Sequence, residues 1–122
     1  MKRLGLLAVL VFGVLAFGQV TISFWHAMSG AHGEALTYLI QKFHEENPGI
    51  VVDLVYQGGY SALQQKLTVA VAAGQPPTIA QQYENWTTQW LDALVDLDLF
   101  VSEEVFSDIL PQFSQIFDGR VV

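Results

Sequence analysis

Two kinds of hydrophobic spacing alternate along this chain. Residues 21–25 (Thr-Ile-Ser-Phe-Trp) are short, β-branched and aromatic, the make-up of a strand. Gly30 and Gly33 break the chain, and from 33 to 46 Ala35, Leu36, Leu39, Ile40 and Phe43 recur at helical spacing until Asn47-Pro48-Gly49 stops the pattern. Residues 50–56 (Ile-Val-Val-Asp-Leu-Val-Tyr) form a nearly continuous apolar run, as in parallel strands covered on both faces. Gln57-Gly58-Gly59-Tyr60 reads as a loop, Ser61 as an N-cap, and Leu63, Leu67, Ala70 and Val71 as the inner face of a helix ending at Gly74.

Beyond Pro76-Pro77 the pattern weakens. Residues 78–83 are expected as a third short strand in spite of two glutamines, and 87–94 as a further helix. Residues 95–100, alternating with Asp96 and Asp98, read as either a bend or a short extended piece. Ser102 caps Glu103 and Glu104 into a last helix reaching Leu110, where Pro111 ends it. The order strand, helix, strand, helix, strand, helix predicts an α/β fold with a parallel, doubly wound sheet and flanking helices. Ligands of such sheets sit beyond the carboxyl ends of the strands, on the loops leading into the helices.

The first residues carry a different signal. Lys2 and Arg3 precede an apolar run from 4 to 17 with small residues at Ala16 and Gly18, which reads as a secretory signal peptide over 1–18 and leaves 19–122 as the mature piece. The run is shorter than the roughly 18 to 20 apolar residues of a spanning helix. The chain has no cysteine, hence neither a disulfide nor a lipid-accepting thiol, and a soluble, monomeric periplasmic product is expected. Without 1–18, Lys42, Lys66 and Arg120 face 12 carboxylates, and this net charge of −9 makes nucleic acid an unsuitable partner.

The three strand-end loops carry the candidate chemistry. Trp25, His26 and Met28 follow the first strand, Gly58, Gly59 and Tyr60 the second, and Tyr83, Glu84, Asn85 and Trp86 the third. A carboxylate accepts hydroxyl protons, a tyrosine donates or accepts, and an aromatic face packs on the C–H face of a polyol. That is the chemistry of carbohydrate and polyol capture. Trp25 and Trp86 also read as packing residues, Glu84 as a solvated carboxylate, and Tyr60 as a cap on the sheet edge. His26 and His32 stand six residues apart without a third ligand, so neither a metal site nor a cofactor is expected. Asp92, Asp96 and Asp98 lack the glycine and distal glutamate of a calcium loop and read as a solvated bend.

At these positions the chain resembles the family 1 extracellular solute-binding proteins of ATP-driven (ABC) importers. Phe24-Trp25-His26-Ala27-Met28, Glu46-Asn47-Pro48, Tyr56-Gln57-Gly58-Gly59-Tyr60 and Gln82-Tyr83-Glu84 are similar, in order and spacing, to the glycerol-3-phosphate-binding branch. The resemblance implies a periplasmic-binding-protein-like fold with no enzymatic activity. It further implies a sugar or polyol phosphate as ligand and membrane permease subunits as partners. It carries ligand contacts to Tyr60 and Glu84, with Trp25 and His26 matching the pattern. Gln57, Ser61 and Thr78 depart from it and leave a neutral sugar or polyol open. Members have two lobes of ordinary domain size, roughly 200 to 400 residues in all. This chain is therefore expected to be the first part of lobe 1, with the second lobe absent. The alternatives are a truncated or permease-docking fragment and a secreted hydrolase pairing Glu84 with His26.

Overall fold

The structure, a computed structural model, describes residues 18–109 together with 116–117 and 120–121. The expected signal peptide, apart from Gly18, and the expected helix end at Leu110 and Pro111 lie outside the described residues. Strand β1 (Val20–His26), helix α1 (Gly30–Glu46), strand β2 (Ile50–Tyr56), helix α2 (Tyr60–Ala72) and the short strand β3 (Ile79–Ala80) follow in turn. The three strands are parallel in the order β2-β1-β3, with Trp25 opposite both Val55 and Ala80 and His26 opposite Tyr56. The order reverses at β1, which creates a topological switch point between β1 and β3.

Side-chain alternation decides which helix covers which face. Phe24, His26, Leu54 and Tyr56 share one face through the register, and His26 and Tyr56 line an open groove with Gly33 and Tyr38 of α1. Trp25 and Ala80 occupy the other face, where they pack on the buried cluster of Ala27, Leu63, Leu67, Trp86 and Trp90. Leu63 is fully enclosed. This core lies under α2 and the β3 end, because Leu63 and Leu67, four apart on α2, are both buried there and the turns after β3 bring two indoles beneath them.

Local chemistry explains the boundaries. The α1 C-terminus closes on Asn47, whose side-chain and backbone N–H groups both donate to the Phe43 carbonyl. At the end of α2, Gly74 with φ +69° donates to Val71 and Gln75 donates to Ala70, which is a Schellman turn. Gly74→Ala is expected to lower stability by about 1 kcal/mol through left-handed strain. An unchanged urea midpoint would show that Gly74 is not what the turn requires. The N-cap of α2 is Gly59 rather than Ser61, which lies inside the helix.

The chain after β3 departs most from expectation. The third strand is two residues long rather than six: ahead of it Ser23 and Thr78 exchange side-chain to backbone bonds of 2.9 and 3.2 Å, and beyond it the chain turns away with the Gln81 and Gln82 amides bonded to Ala27, Tyr60, Thr87 and Trp90. In place of a helix over 87–94 there are two 3₁₀ turns, Glu84–Gln89 and Leu91–Ala93. Trp90 Nε1 donates to Gln82 Oε1 at 2.8 Å and Gln82 Nε2 donates to Thr87 Oγ1 at 3.1 Å. These two bonds tighten the backbone that an α-helix would have to open. Residues 97–99 form a third such turn, α3 spans Glu103–Asp108, and Ile116–Phe117 pairs antiparallel with Arg120–Val121 as β4 and β5.

Candidate functional site

Three elements meet at the carboxyl end of the sheet. Gly58, at φ +96°, turns the chain out of β2, and Gly59 in extended conformation starts α2 so that Tyr60 is its first residue. Tyr83 leaves β3 in extended conformation as the N-cap of the first 3₁₀ turn, and Glu84 opens that turn. The Tyr60 and Tyr83 rings stack at 4.2 Å with 21° between their planes, and Trp86 meets both edge-on at 6.1 and 5.1 Å. Trp86 is buried, Tyr60 is half-buried, and Tyr83 and Glu84 are exposed.

A glutamine ties these elements together. The Ala27 N–H, just past β1, donates to Gln81 Oε1 at 3.0 Å, and Gln81 Nε2 donates to the Tyr60 hydroxyl at 2.8 Å. Lys66 Nζ donates to the Gln57 carbonyl at 3.0 Å and steadies the β2–α2 loop from below. The other described lysine, Lys42, pairs with Glu45 on α1 at 2.6 Å. The rim therefore offers aromatic faces, a phenol and a carboxylate, which suits hydroxyl groups and C–H faces.

Of the residues singled out in the sequence, Tyr60 is joined to the loop of Glu84 by the stack on Tyr83. Trp25 and His26 do not join them. Trp25 is half-buried against the core and lines a groove along α2 with Lys66, Val69 and Ala73. His26, its neighbour on the strand, faces the opposite side of the sheet, as period-two alternation requires. It is 5% exposed, with Phe24 and Tyr56 rings at 6.3 and 5.7 Å, and its Nδ1 has no hydrogen-bond partner among the described residues. Sequence reasoning placed Tyr83 in the rim loop without assigning it a role and took Gln81 only as a mark against a strand. The one available signal for Gln81 was its place at the end of β3, beside the switch point.

Burial pushes the His26 pKa below the ordinary imidazole value of 6.5, with the Met28 backbone partly opposing. The unfolded chain thus binds this proton more readily, so the contribution to stability is complete above 6.5 and is lost as the pH falls through the lowered folded value. Thermal melts between about pH 7 and pH 5 are expected to fall less steeply for His26→Leu than for the parent. Equal slopes would place that pH dependence on other groups.

A parallel α/β unit with a polar, aromatic rim at its switch point has the geometry on which open α/β sheets place their ligands. The profile described as bacterial extracellular solute-binding protein matches residues 29–119, and the chain belongs to this family. It is 35% identical over 108 residues to the sn-glycerol-3-phosphate-binding periplasmic protein UgpB of Salmonella typhimurium (strain LT2), covering 86% of this chain and 23% of that protein. The protein of the same name from Escherichia coli (strain K12) is 40% identical over 67 residues, covering 52% and 15%. Among solved structures, the maltose/maltodextrin-binding domain MalE from Bdellovibrio bacteriovorus bound to maltotriose superposes with a TM-score of 0.73 at 25% identity, over 84% of this chain and 27% of that one. The cyclic α-maltosyl-1,6-maltose binding protein from Arthrobacter globiformis gives a TM-score of 0.74 at 20% identity over the same shares, a likeness of fold. The chain thus spans about a quarter of the length of the curated relatives it matches first. The family is one of solute binding, and the hydrolase alternative is set aside.

Proposed function

We propose that the protein is the substrate-binding component of an ABC importer, acting in the periplasm after cleavage of residues 1–18 and delivering its solute to membrane permease subunits. It captures a sugar or polyol phosphate, of the glycerol-3-phosphate type, without chemistry. The described unit forms one wall of the cleft, and a second lobe supplies the other by hinge closure. The observation that carries this reading is the stack of Tyr60 on Tyr83 at 4.2 Å, immediately before Glu84, at the carboxyl end of the sheet. Relatives named for sn-glycerol-3-phosphate binding support the polyol phosphate, and the MalE likeness supports a saccharide. The rim has an acidic residue, and the described lysines are engaged with Gln57 and Glu45, so the hydroxylated end of the solute belongs at this wall.

Calorimetry on the full-length protein with sn-glycerol 3-phosphate and with maltotriose tests the proposal. Saturable binding of one of them at micromolar concentrations, competed by no unrelated amino acid, is the expected result. Heat-silent titrations with both would remove the reading.

A further inference from the structure

We infer that Gln81 sets the hydrogen-bond polarity of Tyr60, presenting its hydroxyl to the cleft as a donor, and so selects a solute with an oxygen acceptor at that point. The inference rests on the proposal that Tyr60 lines the solute cleft. It follows from which groups can only donate. A backbone N–H has no lone pair to offer, so the amide atom 3.0 Å from the Ala27 nitrogen must be the Gln81 oxygen. The other amide atom is then the NH₂ group, which also can only donate, and it lies 2.8 Å from the Tyr60 hydroxyl. The phenol oxygen is thereby an acceptor toward Gln81, and its single proton must point elsewhere. Among the described residues that proton meets no acceptor.

The same logic repeats one residue on. The indole N–H of Trp90 can only donate, which fixes the Gln82 oxygen toward it and the Gln82 NH₂ toward Thr87. This second amide locks the turn that carries Tyr83 and Glu84, and Tyr83 covers the Tyr60 ring face at 4.2 Å. The Tyr60 hydroxyl is therefore held at its edge, in a fixed sense. A donor at Tyr60 and a carboxylate acceptor at Glu84 match a solute presenting a hydroxyl, ring or phosphoryl oxygen to the first and a hydroxyl proton to the second. An ammonium group facing Tyr60 could use only the remaining phenol lone pair and would leave the Tyr60 proton without an acceptor, so it fits this point less well than an oxygen acceptor. Gln81 acts through Tyr60, as a positioning residue.

Gln81→Glu tests this, because it is isosteric and reverses one bond only. Its first carboxylate oxygen still accepts from Ala27, and its second can only accept, so the Tyr60 proton turns inward. In the full-length protein, Gln81→Glu is expected to weaken binding of sn-glycerol 3-phosphate or maltotriose, whichever the parent binds, by about tenfold. In a Tyr60→Phe background the same change is expected to cost less than about twofold. Tyr60→Phe that leaves affinity unchanged would take Tyr60 out of the cleft and overturn the premise. Tyr60→Phe that weakens binding while Gln81→Glu does not would overturn the polarity itself. A ligand-free readout stands beside these. The Raman doublet of Tyr60, obtained by subtracting the Tyr60→Phe spectrum, is expected to shift toward a strong donor-type intensity ratio on Gln81→Glu. An unchanged ratio overturns the inference whatever the solute proves to be.

Discussion

Leu63→Ala is expected to lower the unfolding free energy by about 3 kcal/mol, within the range for removing an enclosed leucine. Leu63 has no exposed surface and sits at the centre of the cluster formed by Ala27, Leu67, Trp86 and Trp90. Its removal withdraws contacts from both indoles and from α2 at once, in a unit whose whole stability is of the order of 5 to 15 kcal/mol. Loss of three side-chain carbons leaves a void that the neighbouring rings are too rigid to fill completely. Urea unfolding followed by tryptophan fluorescence reads the effect directly, since Trp86 and Trp90 border the void. A midpoint equal to that of the parent would mean that the cluster under α2 is not the core.

Glu84→Ala is expected to weaken solute binding by the full-length protein by about 2 kcal/mol, close to thirtyfold, with little change in melting temperature. The carboxylate is exposed and opens the 3₁₀ turn after Tyr83, so its truncation removes nothing from the buried cluster under α2. The cost arises in the closed state. Ligand hydroxyls that a carboxylate accepts are stranded without a partner once the second lobe excludes water. Calorimetry with sn-glycerol 3-phosphate or maltotriose gives the number, and equal affinities would remove Glu84 from the site. The two predictions separate stability from binding: Leu63→Ala acts on the core, Glu84→Ala on the cleft.

The parts legible in the sequence were those whose pattern is local. Strand β2 has the expected bounds, residues 50–56, because a nearly continuous apolar, mostly β-branched run bounded by Pro48-Gly49 and Gly58-Gly59 suits a strand of that length, although only Val52 in it is buried and Asp53 and Tyr56 are exposed. Helix α1 keeps its expected C-terminus at Glu46 and starts at Gly30, earlier than its apolar spacing revealed. Strand β3 was harder to read. Its start is set by Ser23 and Thr78, 55 residues apart, and the two glutamines expected in it bond to the rim rather than extend the strand.

The sequence by itself determined the order of the first three strands and the two helices between them, and with it a parallel sheet whose carboxyl end is carried by loops. It also contained the alternation that puts Trp25 and His26 on opposite faces, since neighbours on a strand must diverge. Only the tertiary structure decided which aromatic side chains meet there. Tyr60 and Tyr83 stack because a glycine at φ +96° and a two-residue strand aim them at one another. The sense of the Tyr60 hydroxyl is likewise set by an amide 21 residues away, itself fixed by an N–H another 54 residues back. Hydrogen-bond direction is a property of partners in space, and no local pattern of residues encodes it.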